Sequence, residues 1–214
     1  MFFNVIDKKK IFVPYSFKKF CSYNPFPKVI NDKLDGISHL VFYNFSLYRD
    51  ICKQINKNIR TGLISKEKII LGNKFRKEIL SGYYPRIDLK FINNIIGKGV
   101  VSLDYIPKGS YVGEYTGIVK KRSRKIMNNN VYCLSYIIHP LKRNYVIDAK
   151  EKGNFTRFIN HSNHPNLESV SVVLNDILHM VFFSIKDIEP NSQLTFDYGD
   201  EFWKSFNKKN IKNI

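Results

Sequence analysis

From Tyr83-Tyr84-Pro85 onward the chain becomes a succession of short β-prone runs cut by Gly, Pro and Asn. The runs are 87–92, 99–102, 111–119, 132–138, 145–147, 169–174 and 179–183. Strands this short and this closely spaced, with no long helices between them, predict a mainly antiparallel β domain. Helical periodicity is confined to the first third. Leu40, Val41, Phe45, Leu47, Tyr48, Ile51 and Ile55 recur near a 3.6-residue spacing, predicting a helix over 38–59 with Ser38 as its cap. A second helix is predicted over 65–80, weakened by Gly72 and stopped by Ser81-Gly82. Residues 1–35 are irregular, punctuated by Pro14, Pro25 and Pro27, with a short strand expected at Ile11-Phe12-Val13.

At 214 residues with 43% hydrophobic and 14% aromatic content, the chain has the material for one sizeable core, so wholesale disorder is excluded. Cys21, Cys52 and Cys133 lie far apart and form no Cys-x-x-Cys pattern, which argues against a structural zinc site and suits a reducing compartment. No apolar run is long enough to span a membrane, and the N-terminus lacks the layout of a conventional signal peptide. A cytoplasmic location is expected, or a host nucleus if the protein is exported by another route. The net charge of +17 favours polyanionic partners and predicts non-specific DNA or nucleosome contact. The basic runs are short, and the accompanying wealth of Asn and Ile allows base composition to account for part of the lysine excess.

The densest group of directed donors and acceptors is Gly153 to Asn166, GNFTRFINHSNHPN. Its simplest reading is a turn whose amides satisfy local backbone, with Pro165 ending any helix begun there. His161 and His164 share a His-x-x-His spacing, but the proline and the lack of a third ligand argue against a metal. A second stretch, Gln193 to Trp203, reads QLTFDYGDEFW; alternation places Phe196 and Tyr198 on one strand face. Gly97-Lys98-Gly99 reads as a tight turn, without the third glycine of a dinucleotide fingerprint.

Together these stretches resemble the SET domain of protein-lysine methyltransferases. That family carries an RFINHS-x-x-PN segment followed by an ELxFDYG segment; here Arg157 to Ser162, Pro165-Asn166, Leu194 and Phe196 to Gly199 match, with Gln193 in place of Glu. Gly97 and Gly99 match the family's G-x-G, Tyr115 in Gly113-Glu114-Tyr115-Thr116-Gly117 matches its E-Y-x-G, and Ile147-Asp148-Ala149 with Gly153-Asn154 matches its ID-A…GN lead-in. The resemblance covers residues 86–203 and implies an α+β, mainly β SET fold with a pseudoknot-like C-terminus. It leaves 1–85 as a partly helical N-terminal region of unknown role and 204–214 as a basic tail. The compact form is similar to small SET proteins of chlamydia-like intracellular bacteria and some viruses. The residues after Trp203 hold no cysteine, so the match does not extend to the zinc-bound segment of many histone enzymes; Phe202, Trp203 and Phe206 are candidates to cover the lysine channel instead.

The resemblance implies S-adenosylmethionine as cofactor, contacted by Gly97, Lys98, Gly99, Tyr132, Arg157, Asn160, His161, Tyr198 and Trp203. Lys98 stands where relatives often have an aromatic, so its contact would be through backbone. The resemblance also implies a lysine channel built from Tyr115, Tyr198 and Phe196. Tyr198 takes the catalytic position, and Phe196 takes the position that tunes how many methyls are added; Phe there leaves room for more than one. The implied substrate is a protein lysine, on a histone or histone-like DNA-packing protein, and the enzyme is expected as a monomer or homodimer. Methylation of a non-histone protein, or an inactive SET fold acting as a basic chromatin-binding module, are the competing readings.

Overall fold

The computed structural model describes residues 4–6, 9–11, 39–123, 126, 130–142 and 144–205. Among the described residues the strands form five small sheets. Two are hairpins: β1 (Asn4–Ile6) with β2 (Lys9–Ile11), and β4 (Ile87–Asn93) with β5 (Gly97–Ser102). A three-stranded sheet orders β11 (Leu167–Leu174), β12 (Ile177–Ser184) and β6 (Tyr111–Glu114). A four-stranded sheet orders β3 (Val41–Phe42), β7 (Ile118–Lys121), β9 (Tyr145–Asp148) and β8 (Cys133–Tyr136). Last, β10 (Asn160–His161) pairs with β13 (Thr195–Phe196). Most pairings are antiparallel, as expected, but β3–β7 and β10–β13 are parallel.

The helices begin and end where local chemistry dictates. Helix α1 covers Phe45–Arg60, seven residues later than periodicity predicts. Its cap is Asn44, whose side-chain oxygen accepts from the Leu47 N–H at 2.8 Å, while Leu40 to Phe42 are drawn into the core beside β7. Ser38 lies outside the described residues, as do Phe12, Val13 and Phe206. The expected second helix is two, α2 (Lys66–Lys74) and α3 (Arg76–Ser81), broken at Phe75. The Phe75 ring is buried 5.4 Å from that of Tyr111, so tertiary packing overrides helical continuity there. Gly82 then ends α3 in the left-handed conformation at φ 65°. Gly72 has a packing role: a Cβ there would lie 2.1 Å from the Val173 carbonyl oxygen, so α2 lies directly on β11.

Two further boundaries differ from expectation. The 111–119 run is two strands, because Tyr115-Thr116-Gly117 leaves the sheet between β6 and β7. A short helix α4 (Gly199–Ser205) follows β13, so helices are not confined to the first third. One contiguous core runs through all of this, from Ile51 and Ile55 of α1 through Val119, Ile147 and Tyr136 to Ile159, Phe182 and Phe196. The N-terminal helices are bonded to it as well as packed on it: Gln54 Nε2 donates to the Tyr145 hydroxyl at 3.0 Å, and Asn58 Nδ2 donates to the Ile138 carbonyl. No helix among the described residues is long and apolar enough to cross a membrane.

Candidate active site

The two polar motifs, separated by residues 167–192 in sequence, meet through the parallel β10–β13 pair. Asn160 sits opposite Thr195 and His161 opposite Phe196. Asn166 fastens the join: its Oδ1 accepts from Thr195 N–H and its Nδ2 donates to Gln193 O, both at 2.8 Å. Phe155–Phe158 forms a single 3-10 turn, capped by Asn154, that aims Arg157 and Phe158 back toward Tyr132.

A cavity of about 240 Å³ opens between these elements, lined in part by Tyr115, Tyr198, Phe196, Arg157, Met180 and Phe202. Both tyrosine hydroxyls are committed as donors. Tyr115 donates to the Tyr132 carbonyl at 3.0 Å, and Tyr198 donates to the Ile159 carbonyl at 2.9 Å. Each oxygen therefore keeps only acceptor capacity toward a ligand. Burial pushes both phenols well above their ordinary range, so they stay protonated throughout working pH. Phe196 stands between Phe182 and Tyr198, with both ring centroids at 4.8 Å. Phe202 reaches the cavity and lies 4.5 Å from Tyr198; the Trp203 ring rests on His161 at 4.9 Å instead.

Of the remaining expected residues, Arg157 lines this cavity too, whereas Gly97, Lys98, Gly99, Tyr132, Asn160, His161 and Trp203 lie outside its lining. Asn160 Nδ2 donates to the Lys98 carbonyl at 3.2 Å, joining β10 to the start of β5. Gly97 has φ 76°, and a Cβ on Gly99 would come within 2.9 Å of Asn160 Nδ2, displacing the amide from that bond. His161 Nδ1 accepts from the Tyr198 N–H at 3.3 Å, which leaves Nε2 to donate to Asn163 Oδ1 at 3.1 Å. Arg157 donates to the carbonyls of Ala149 and Lys150, and its guanidinium lies 5.1 Å from the Tyr132 ring centre and 4.5 Å from that of Phe158. Burial lowers its pKa, with Tyr132 and Tyr115 opposing. Its buried Nε has no acceptor among the described residues. A backbone edge at 97–99, an amide, an imidazole and a buried cation with one spare donor fit a zwitterionic nucleoside cofactor such as S-adenosylmethionine. The described residues contain no group of three His, Cys, Asp or Glu side chains able to hold a metal.

Several further residues brace the site. Asn154 Nδ2 and Thr156 Oγ1 both donate to the Glu114 carbonyl, fixing the end of β6 from which Tyr115 projects. On the far side of that strand the Glu114 carboxylate meets His179 Nδ1 at 2.7 Å, both residues being buried. Asn130 Nδ2 donates to Asp148 Oδ1 at 2.7 Å, its Oδ1 accepts from the Tyr132 N–H, and Lys120 pairs with Asp148 Oδ2 at 2.7 Å. This supports the Tyr132 carbonyl that holds Tyr115. The sequence clue for Asp148 is the Ile-Asp-Ala lead-in; Asn130 and His179 carry none.

Residues 97–199 match the SET domain family. The chain is 37% identical over 106 residues to the histone-lysine N-methyltransferase Set2 of Drosophila melanogaster, covering 48% of this chain and 5% of that one. It is 39% identical over 129 residues to the histone-lysine N-methyltransferase EHMT1 of Homo sapiens, covering 58% of this chain and 10% of that one. It is 33% identical over 129 residues to the histone-lysine N-methyltransferase SETMAR of Rattus norvegicus, covering 55% of this chain and 41% of that one. The chain thus spans well under half the length of each of these relatives. Among solved structures it is similar to an active polycomb repressive complex 2 in the basal state, with a TM-score of 0.52 and 26% identity over 57% of this chain and 16% of that one. It is similar, too, to a polycomb repressive complex 2 solved in an autoinhibited conformation bound to S-adenosylmethionine, with a TM-score of 0.50 and 25% identity over 57% of this chain and 16% of that one. Fold, paired motifs and relatives point the same way: residues 97–199 match the SET domain family, and the chain is similar there to histone-lysine N-methyltransferases.

Proposed function

We propose that the protein is an S-adenosylmethionine-dependent protein-lysine N-methyltransferase acting on histones or histone-like DNA-packing proteins, and able to add more than one methyl. The observation that carries the reading is the cavity between Tyr115 and Tyr198, with both hydroxyl protons tied to backbone carbonyls. S-adenosylmethionine, when bound, supplies an electrophilic methyl on sulfur. Gly97 to Gly99, Asn160, His161 and Arg157 are the residues to hold it, with Tyr132 and Trp203 flanking.

The rest of the task is positioning and deprotonation. A free lysine amine has a pKa near 10.4, and only its neutral form has the lone pair needed for displacement. A buried aromatic cavity disfavours the ammonium, and the Arg157 cation lining the same space disfavours it further. The Tyr115 and Tyr198 oxygens accept from the amine and orient it, since their pKa values are raised too far for either to act as a base. Holding the reacting atoms near 3–3.5 Å is worth several orders of magnitude in rate. Phe196 carries no hydroxyl to order water in the channel, which supports successive methylation. The relatives' substrates support histones as the target class.

The test is methyl transfer to core histones, nucleosomes and a free lysine-rich peptide, followed by mass spectrometry. Mono-, di- and trimethyl-lysine on histone tails support the proposal. Label confined to a non-histone protein of a cell lysate would keep the chemistry and overturn the substrate class. No transfer and no calorimetric binding of S-adenosylmethionine would overturn the enzyme reading and favour an inactive binding module.

A further inference from the structure

The positive charge is unevenly spread. Residues 39–81 hold nine Lys and Arg against three Asp and Glu, whereas the longer 97–199 stretch holds thirteen against nine. Within 39–81 the fold sorts the charge further. Helix α1 turns Leu47, Ile51, Ile55 and Asn58 toward the core and Arg49, Lys53, Lys57 and Arg60 to the opposite, exposed face. These four follow one another at intervals of four, four and three residues, a continuous stripe about 16 Å long. Lys57 and Arg60 also suit the helix C-terminus electrostatically, but Arg49 and Lys53 lie outside the last turn and gain nothing from the dipole.

The stripe borders a groove of about 520 Å³ whose floor includes Tyr48, Asn56 and Thr61. One carboxylate, Asp176 of the β11–β12 turn, faces the four cations there. The groove is rigidly mounted, because Gln54 and Asn58 bond α1 to Tyr145 and Ile138 of the catalytic half. From Asp176 to Met180, which lines the active-site cavity, is about 13 Å along β12.

We propose that this face of α1 is a docking surface for the phosphate backbone of duplex DNA. Charge complementarity selects the occupant. The chain's own segment 12–38 has four lysines against two aspartates, and a second copy carries +17; both are like-charged and repelled. A polyanion is attracted, and it displaces counterions as it binds. The choice of duplex DNA over another polyanion rests on the proposed histone or DNA-packing substrate: docking on DNA brings a basic enzyme to a basic target. Phosphate contact of this kind carries no sequence preference.

The experiment is fluorescence anisotropy with a labelled mixed-sequence 30-base-pair duplex from 50 to 200 mM salt, without cofactor or protein substrate. Wild type is compared with R49Q/K53Q/K57Q/R60Q and with a control, K66Q/K108Q/K142Q/K186Q, that removes the same charge elsewhere. Four phosphate contacts correspond to about −3.6 in the slope of log K against log salt, or about 150-fold in affinity over that range. The stripe variant is expected to lose that much slope and the control less than about one unit. Equal losses in both variants would overturn the site, leaving only bulk charge. Absence of binding by wild type at 50 mM would overturn it as well, as would preference for phosphatidylserine vesicles over duplex at equal phosphate. Methylation of a free peptide by the stripe variant is expected to match wild type. Because the binding assay contains no methyl donor, its failure leaves the methyltransferase reading standing, and loss of peptide methylation leaves the docking result standing.

Discussion

Glu114 and His179 make the most sharply quantifiable test of how the site is braced. The two are 65 positions apart in sequence, yet Glu114 Oε1 and His179 Nδ1 lie 2.7 Å apart with the residues 3% and 0% exposed. His179 Nε2 faces the Leu174 carbonyl at 3.3 Å. Removing one member strands the other where water cannot reach it. Breaking a buried pair this way costs about 3–5 kcal/mol, whereas replacing both members by apolar groups is often neutral. Against a total of about 5–15 kcal/mol, Glu114→Leu or His179→Leu alone is therefore expected to remove about a fifth or more of the stability. At about 2–4 °C per kcal/mol for a chain of this size, the midpoint falls by about 6–20 °C. Glu114→Leu/His179→Leu is expected to recover most of that loss, giving a large favourable coupling. Urea denaturation of the four proteins, read by tryptophan fluorescence and circular dichroism, measures the cycle. Single variants costing less than about 1 kcal/mol, or a double variant as costly as the sum of the singles, would refute the reasoning.

Three further outcomes are expected. Gly72→Ala gains about 1 kcal/mol of helix propensity, but its new methyl meets the Val173 carbonyl at 2.1 Å, so a net loss of about 1–2 kcal/mol should appear in denaturation. Phe196→Tyr puts a hydroxyl into the channel between Phe182 and Tyr198, and mass spectrometry of the product should shift toward monomethyl-lysine. His39 is buried, which lowers its pKa below the usual 6.5, with Glu114 opposing and His179 adding to the shift. The unfolded chain then takes up a proton near pH 6.5 that the fold refuses, so stability falls as pH drops from 7.5 to 5.5, by up to about 1.4 kcal/mol per pH unit from this group. His39→Gln should flatten that slope in denaturation curves taken across the range.

Much of the candidate site's geometry was readable because its motifs are local. RFINHS and FDYG are contiguous runs, and a two-residue parallel pairing suffices to join them. Tyr115, Tyr198 and Phe196 do line one cavity, and the Lys98 backbone does meet Asn160. What escaped depends on tertiary context. Val41-Phe42 is too short to show a period of two, and its neighbours continue a helical spacing, so a strand beside β7 read as the start of α1. Phe75 is an ordinary helical residue until Tyr111 packs on it. The break after Glu114 is unreadable within a uniformly β-prone run, yet Gly117 marks it: a Cβ there would lie 2.7 Å from the Asp148 carbonyl oxygen. The basic stripe escaped for a similar reason, since cations three and four residues apart look dispersed until a helix gathers them. His179, in an apolar strand, gives no hint of the carboxylate it meets.

In the proposed enzyme a phenol held on the Ile159 carbonyl orients a lysine amine for methyl transfer. This role is tested most directly by incubating radiolabelled S-adenosylmethionine and nucleosomes with wild type and with Tyr198→Phe. The substitution removes one oxygen and leaves a ring of the same shape among Phe196, Phe202 and His161. Label on a histone band with wild type, reduced at least a hundredfold in a variant that still binds the cofactor and melts within a few degrees of wild type, is the predicted result. Equal label with both proteins would contradict the account.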